Sequence, residues 1–203
     1  MDQDITRLRG FTQDMTRLVA TEGIAERTLL DEGAALLGRL IAHDDWLPDE
    51  FSRSSPAGYR QYLLHCDPLE RFCVVSFVWE PGQKTPIHDH LTWGLVGQLR
   101  GEELCEEYER NAGGAVVRRG AHRMPRGAID RVSPTVGDVH VVSNASAAVA
   151  VSIHVYGANI GAVRRHVFDP ATGAAREFVS GYHNAMVPNL WGPGAGGVGR
   201  LAS

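Results

Sequence analysis

Apolar residues in the first fifty positions recur at helical spacing and fall into two groups. Steps of three and four residues place the apolar side chains of each group on one face of a helix. The second group ends where Asp44, Asp45 and Pro48 interrupt the pattern. The pattern therefore predicts two helices within residues 1–48, with core-facing stripes formed by Ile5, Leu8, Phe11, Met15, Leu18, Val19, Leu29, Leu30, Leu36, Leu37, Leu40 and Ile41.

From about residue 58 the pattern changes to short runs of β-branched and aromatic residues separated by turn residues. Many short strands at this spacing indicate a β-sandwich or barrel. We predict one domain over 1–203, with a β-barrel at 58–169 and a Gly-rich tail at 188–203 that Trp191 holds against the body. The predicted strands cover residues 59–65, 72–80, 93–99, 103–108, 115–118, 138–143 and 149–156.

The composition of the 203 residues is typical of a folded, soluble domain, with 43% hydrophobic and 22% charged residues. A net charge of −4 does not favour nucleic acid or an anionic membrane as a partner. The charged first ten residues do not resemble a signal peptide, so we expect a cytoplasmic protein. Three cysteines without CxxC spacing, Cys66, Cys73 and Cys105, argue against a disulfide scaffold or a zinc ribbon.

Two histidines two positions apart, His88 and His90, are the first candidates for chemistry. On a strand they share one face, while Asp89 points the other way. Neutral imidazoles that converge inside a barrel are suitable ligands for a divalent metal ion. A third histidine, His140, lies on a later predicted strand, and Asp138 shares its face. The other histidines outside the polar strand described below show no ligand pattern: His43, His65, His122, His166 and His183.

The spacing around these histidines resembles the paired motifs of the cupin family. The first motif corresponds to Gly82, His88, His90, Gly94 and Gly101, and the second to Gly137, His140 and Asn144. The resemblance implies a mainly β jelly-roll barrel, preceded here by helices, with a metal inside. Many cupins have a glutamate ligand where this chain has Gly94. A site of three histidines leaves the ion its full charge, which suits a substrate that brings a thiolate.

A second polar line, Ser152, His154 and Tyr156, alternates with apolar residues on a predicted strand. It is either a solvent-facing stripe or an inward chain of hydrogen bonds. Together with the three histidines it looks like the thiol dioxygenases related to cysteine dioxygenase. That resemblance implies iron(II) as cofactor, and dioxygen and a small thiol as partners. Tyr156 would donate to bound oxygen or sulfur, oriented by His154 and Ser152. The cysteine that mammalian members cross-link to this tyrosine is Gly94 here.

The substrate prediction depends on Gln61, which stands where cysteine-specific members have an arginine. A Gln there resembles the bacterial 3-mercaptopropionate dioxygenases, and Arg165 would supply the missing charge. A shift of one residue would replace Gln61 by Arg60 and favour cysteine, and Arg164 is the alternative to Arg165. Two other classes stay open, namely a zinc hydrolase or lyase and a non-catalytic cupin that senses a small ligand. The oligomeric state does not follow from the sequence.

Overall fold

Two antiparallel helices begin the fold in the computed structural model, which describes residues 5–111 and 113–191. Helix α1 spans Thr6–Val19 and α2 spans Glu26–Ile41, as the apolar stripes predict, and a 3-10 turn follows at Asp49–Ser52. Helix α2 packs closely on the following sheet, because a Cβ at Gly97 would lie 3.0 Å from side-chain atoms of Leu37 and Ile41. Within the described residues, no helix is long and apolar enough to cross a membrane.

The rest of the described chain is mainly β, which confirms that part of the fold prediction. Two antiparallel sheets form, one in the order β1-β2-β9-β4-β7 and one in the order β11-β10-β3-β8-β5-β6. The strands are β1 Arg60–Cys66, β2 Cys73–Trp79, β3 Ile87–His88, β4 Gly94–Arg100, β5 Glu102–Arg110, β6 Val116–Pro125, β7 Ile129–Val132, β8 Val139–Asn144, β9 Ala150–Tyr156, β10 Arg165–Phe168 and β11 Ala175–Phe178.

Each of the seven predicted strands overlaps an observed one, but four strands escaped prediction: β3, β7, β10 and β11. All four have four residues or fewer, which is too short for an alternating pattern to stand out. The last of them, β11, ends at Phe178, so the sheets continue beyond the predicted end at residue 169.

The strand β9 divides the core into two layers. Its residues Val151, Ile153 and Val155 face the helices and join the large apolar cluster there. The alternate residues Ser152, His154 and Tyr156 point the other way and are also fully buried. The solvent-facing interpretation of this polar line is therefore wrong, because the second sheet covers it.

The predicted C-terminal tail is described only up to residue 191. Trp191 does not hold it to the body, since this side chain is 74% exposed, whereas Leu190 beside it is buried. Residues 192–203 of the predicted tail lie outside the described residues. The three cysteines are free thiols, and Cys73 is a core residue.

Candidate metal centre

Three buried histidines come together between the two sheets. Strand β3 pairs with β8 so that His88 lies directly opposite His140, and His90 follows just after the end of β3. Their ring centroids are 4.8–4.9 Å apart, and one ligand nitrogen of each lies within 4.8 Å of the others. Strand β3 carries His88 but not His90, and the two residues that follow it bring His90 to the same cluster, so the expected convergence occurs although His90 does not lie on a strand.

Each of the three imidazoles is held through its Nδ1 atom. His88 Nδ1 lies 3.1 Å from the carbonyl oxygen of Pro86, and His90 Nδ1 lies 3.0 Å from Asp138 Oδ1. His140 Nδ1 contacts Cys105 Sγ at 3.5 Å. Partners on Nδ1 leave Nε2 for a metal, which is the usual arrangement of ligating histidines. Among the described residues, the buried Nε2 of His90 has no hydrogen-bond partner, so the site fits a metal ion.

The protonation of these rings also suits metal binding. Burial and the neighbouring His90 lower the pKa of His88 to about 3. Burial, followed by the two other histidines, also lowers the pKa of His140 well below its ordinary value. A metal binds the neutral imidazole, so the fold keeps these two ligands in the binding form at neutral pH.

Asp138 has a larger part in this centre than the sequence suggested. Besides the ring contact, its carboxylate accepts hydrogen bonds from the backbone N–H groups of His90 and Leu91, each at 3.0 Å. Burial raises the pKa of Asp138, but the hydrogen bonds from His90 and Leu91 outweigh it and the pKa is lowered. A carboxylate on a ligating histidine fixes the ring and increases its basicity. Asp89 points away, as expected, and contacts His166.

The polar line on β9 forms a continuous chain of hydrogen bonds. His154 Nδ1 lies 2.8 Å from the Tyr156 hydroxyl, and His154 Nε2 lies 2.8 Å from Ser152 Oγ. Trp79 donates to Ser152 Oγ at 3.3 Å. The ring of Tyr156 stacks on His90, with centroids 5.3 Å apart and planes 21° apart. The tyrosine end of the chain therefore lies beside the metal ligands.

The two titratable residues of this hydrogen-bond chain, His154 and Tyr156, are both neutral at neutral pH. Burial, then the nearby histidines His90 and His88, lower the pKa of His154 well below its ordinary value. Burial raises the pKa of Tyr156 far above the ordinary value of a tyrosine. The phenol therefore keeps its proton, and Tyr156 is able to donate a hydrogen bond to a ligand beside the metal.

Glu103 is a buried acid near Ser152, at the opposite end of the hydrogen-bond chain from Tyr156, and sequence analysis missed it. Its side chain is 0% exposed, and within the described residues neither carboxyl oxygen makes a well-formed hydrogen bond. Burial raises its pKa to about 7, although the nearby side chains of Ser152, Gln98 and Trp79 act to lower it. The sequence contained one indication of this burial: Glu103 and Cys105 are two positions apart on β5, so their side chains share the inner face of the strand.

The two residues predicted to bind substrate meet at Ser180. Gln61 donates to Ser180 Oγ at 2.9 Å, and Arg165 donates to the same oxygen at 2.8 Å. Both line a cavity of about 30 Å³ together with His88, His140 and Tyr156. The structure therefore brings Gln61 and Arg165 to the cavity that two of the three histidines also line.

The alternatives to these two residues lie elsewhere. Arg164 is 73% exposed and pairs with Glu177 on the surface. Arg60 points to the opposite face of β1 and donates to Ser55 Oγ at 2.7 Å. Arg165 is buried, its Cζ lies 4.7 Å from the ring centre of Phe178, and no Asp or Glu of the described chain forms an ion pair with it. The cavity therefore contains an unpaired cation.

Gly94 lies directly beside Tyr156, where the resemblance places the cross-linking cysteine. The two residues are paired across β4 and β9, and a Cβ at Gly94 would lie 2.8 Å from Tyr156 Cδ1. The glycine allows the tyrosine ring to occupy its present position. No carboxylate ligand comes from this position, so the described ligand set consists of the three histidines.

No known family model matches the sequence. Among solved structures, TT1209 from Thermus thermophilus is 21% identical with a TM-score of 0.44, over 54% of this chain and 92% of its own. A Klebsiella pneumoniae protein with a double-stranded beta-helix domain is 19% identical with a TM-score of 0.42, over 64% and 91%. An rmlc-like cupin protein from Desulfovibrio desulfuricans is 24% identical with a TM-score of 0.38, over 52% and 88%.

Proposed function

We propose that this chain is an iron-dependent thiol dioxygenase of the cupin type, which converts a small thiol carboxylate, 3-mercaptopropionate, into its sulfinate. The observation that carries the proposal is that three buried histidines, His88, His90 and His140, lie beside the ring of Tyr156. The histidines would provide a metal site, and Tyr156 would provide a neutral hydrogen-bond donor next to it.

The three histidines would hold iron(II) through their Nε2 atoms. Because all three ligands are neutral, a substrate thiolate adds the first negative charge to the site, which favours the deprotonated thiol. When bound, iron supplies the redox chemistry that transfers dioxygen to sulfur. Sulfur loses four electrons in going from thiol to sulfinate, and one dioxygen molecule accepts four. The reaction balances without another reductant.

Tyr156 and its partners would position the reacting atoms. The raised pKa keeps the phenol protonated, so its O–H donates a hydrogen bond into the cavity when His154 donates from Nδ1. Ser152 in turn fixes the ring of His154, and Phe77 covers that ring with centroids 4.1 Å apart. A buried chain of this kind holds one donor direction and excludes water.

The substrate carboxylate would pair with Arg165, whose charge has no acidic partner in the cavity. Gln61 offers a neutral amide beside it through their common contact with Ser180. No Asp or Glu occurs among the described residues that line this cavity. An ammonium group such as that of cysteine would therefore have no counter-charge there, which supports 3-mercaptopropionate over cysteine.

Oxygen consumption by the iron(II)-loaded protein tests this proposal. We expect rapid uptake with 3-mercaptopropionate, slower uptake with cysteine and cysteamine, and a sulfinate product detected by mass spectrometry. Replacement of Tyr156 by Phe is expected to reduce turnover about 100-fold while iron stays bound, as for loss of one positioned donor. Preference for cysteine would reject the substrate assignment, and absence of uptake at full iron occupancy would reject the reaction.

A further inference from the structure

A second group of metal-ligating side chains lies outside the three-histidine centre. Cys105 and His122 are direct cross-strand partners on β5 and β6 of the six-stranded sheet, and Asp130 reaches them from β7 of the other sheet. One ligand atom of each lies within 4.8 Å of the others. The set offers sulfur, nitrogen and oxygen, which is the donor chemistry of zinc and related divalent metals.

The histidine of this group is already oriented as metal-bound histidines are. His122 Nε2 faces Asp130 Oδ2 at 3.0 Å, and His122 Nδ1 lies 3.2 Å from Glu107 Oε1. An ion beside Asp130 would take Nε2, and the Glu107 carboxylate lies close to the other ring nitrogen. A carboxylate on the second ring nitrogen is the common outer partner of a ligating imidazole.

The sulfur of Cys105 faces the same point and is 2% exposed. The carboxylate of Asp130 belongs to the same group, and Glu107 lines the same cavity as Cys105. A divalent ion bound there would face these two carboxylates, and coordination would deprotonate the thiol.

The group is open to solvent. A cavity of about 520 Å³ is lined by Cys105, Glu107 and Asp130 and also reaches His140. An ion could enter this way, and water could complete its coordination. The contact between Cys105 Sγ and His140 Nδ1 also makes the two sites compatible. If His140 bound a metal through Nε2, its Nδ1–H would donate a hydrogen bond to a Cys105 thiolate.

We propose that Cys105, His122 and Asp130 form a second metal site for zinc or a similar divalent ion, with Glu107 orienting His122. The site adjoins the three-histidine centre through the contact between Cys105 and His140, but it does not depend on the reaction proposed for that centre. Its ordinary alternative is an ion pair in which protonated His122 bridges Asp130 and Glu107 above a thiol.

Cobalt(II) is a direct probe, because only a thiolate ligand gives the strong near-ultraviolet sulfur-to-cobalt absorption band. Metal-free protein would be titrated with cobalt(II) in a buffer that contains a phosphine reductant, because a phosphine keeps cysteines reduced without adding a thiol of its own. We expect two equivalents to bind, with one of them producing the band, and zinc to remove the band. The double variant His88→Ala, His90→Ala should bind one equivalent and keep the band, because it leaves the second site intact.

Variants of the second site give the opposite result. Cys105→Ser should lose the absorption band and bind one equivalent of cobalt(II). Cys66 is a half-buried cysteine on β1, and the control variant Cys66→Ser should keep the band and bind two equivalents. If Cys105→Ser does not fold, the partly exposed His122→Asn serves instead and should weaken the band-forming equivalent at least tenfold. A titration without the band, or a band that survives Cys105→Ser, would overturn the proposal and leave the ion pair.

Discussion

Replacement of Glu103 by glutamine is expected to stabilise the metal-free protein at neutral and alkaline pH. The side chain lies fully buried among Ser152, Gln98 and Trp79, without a cation beside it. An ionised carboxylate there loses its hydration and gains little in return. Glutamine has almost the same shape, is neutral at every pH, and offers both a donor and an acceptor to these neighbours.

The magnitude follows from the pKa of Glu103, which burial raises from 4.5 to about 7. A pKa raised on folding means that the native state binds this proton more tightly than the unfolded chain. The stability it contributes is complete below pH 4.5 and is lost as the pH rises through 7. At 1.36 kcal/mol for each tenfold difference, the loss approaches about 3 kcal/mol above pH 8.

Urea unfolding of the wild type and Glu103→Gln, at intervals from pH 5 to pH 8.5, measures this effect. The buried histidines change stability in the opposite direction, since their lowered pKa values make the native state lose stability as the pH falls. That contribution is common to both proteins and cancels in their difference. The difference should therefore grow by about 2–3 kcal/mol toward high pH in favour of the glutamine variant.

Glu102→Gln is the matched control, because its partly exposed side chain pairs with Arg123 at the surface. The free energy of unfolding of Glu102→Gln should stay within about 0.5 kcal/mol of the wild-type value throughout the pH range. A Glu103→Gln curve parallel to that of the wild type would refute the raised pKa of Glu103. A glutamine variant less stable than the wild type at pH 8 would refute it as well.

Three further substitutions test the candidate centre. Asp138→Asn should weaken iron(II) binding by about 10–100-fold in a chelator competition, because His90 loses its carboxylate, whereas Asp169→Asn in an exposed turn should not. Arg165→Gln should raise the KM for 3-mercaptopropionate by about 10–100-fold. The KM for 2-mercaptoethanol, which has no carboxylate, should change by less than about twofold. Equal effects on both thiols would contradict carboxylate binding by Arg165. Gly94→Ala should cost about 1–3 kcal/mol in thermal unfolding, because its Cβ would lie 2.8 Å from Tyr156 Cδ1, while Gly10→Ala on α1, with open space around it, should be neutral or stabilising.

The sequence was informative where a periodic pattern or a motif spans several residues. The stripes of the two helices and the longer strands follow from spacing, whereas the convergence of His140 with His88 and His90 was implied by the resemblance to the cupin motifs. The short strands were missed because they exist through pairing with distant segments: β3 is two residues long and is held between β8 and β10.

The supporting residues of the site were harder to predict than its ligands. Asp138 and Cys105 act on the ligands through contacts between segments far apart in the sequence, and Glu103 is buried because both sheets close over it. Local sequence marks an acid as a surface residue, since burial of a charge is costly. Only the tertiary arrangement shows which acid is the exception.

The three ligands of the candidate centre are alike in composition but differ as electron donors. A carboxylate supports His90, a backbone carbonyl supports His88, and a sulfur supports His140. Imidazole basicity increases with the strength of the acceptor on the other ring nitrogen. A metal held by these three rings would therefore receive unequal support, with the carboxylate-backed His90 as the strongest donor, even though all three ligands are histidines.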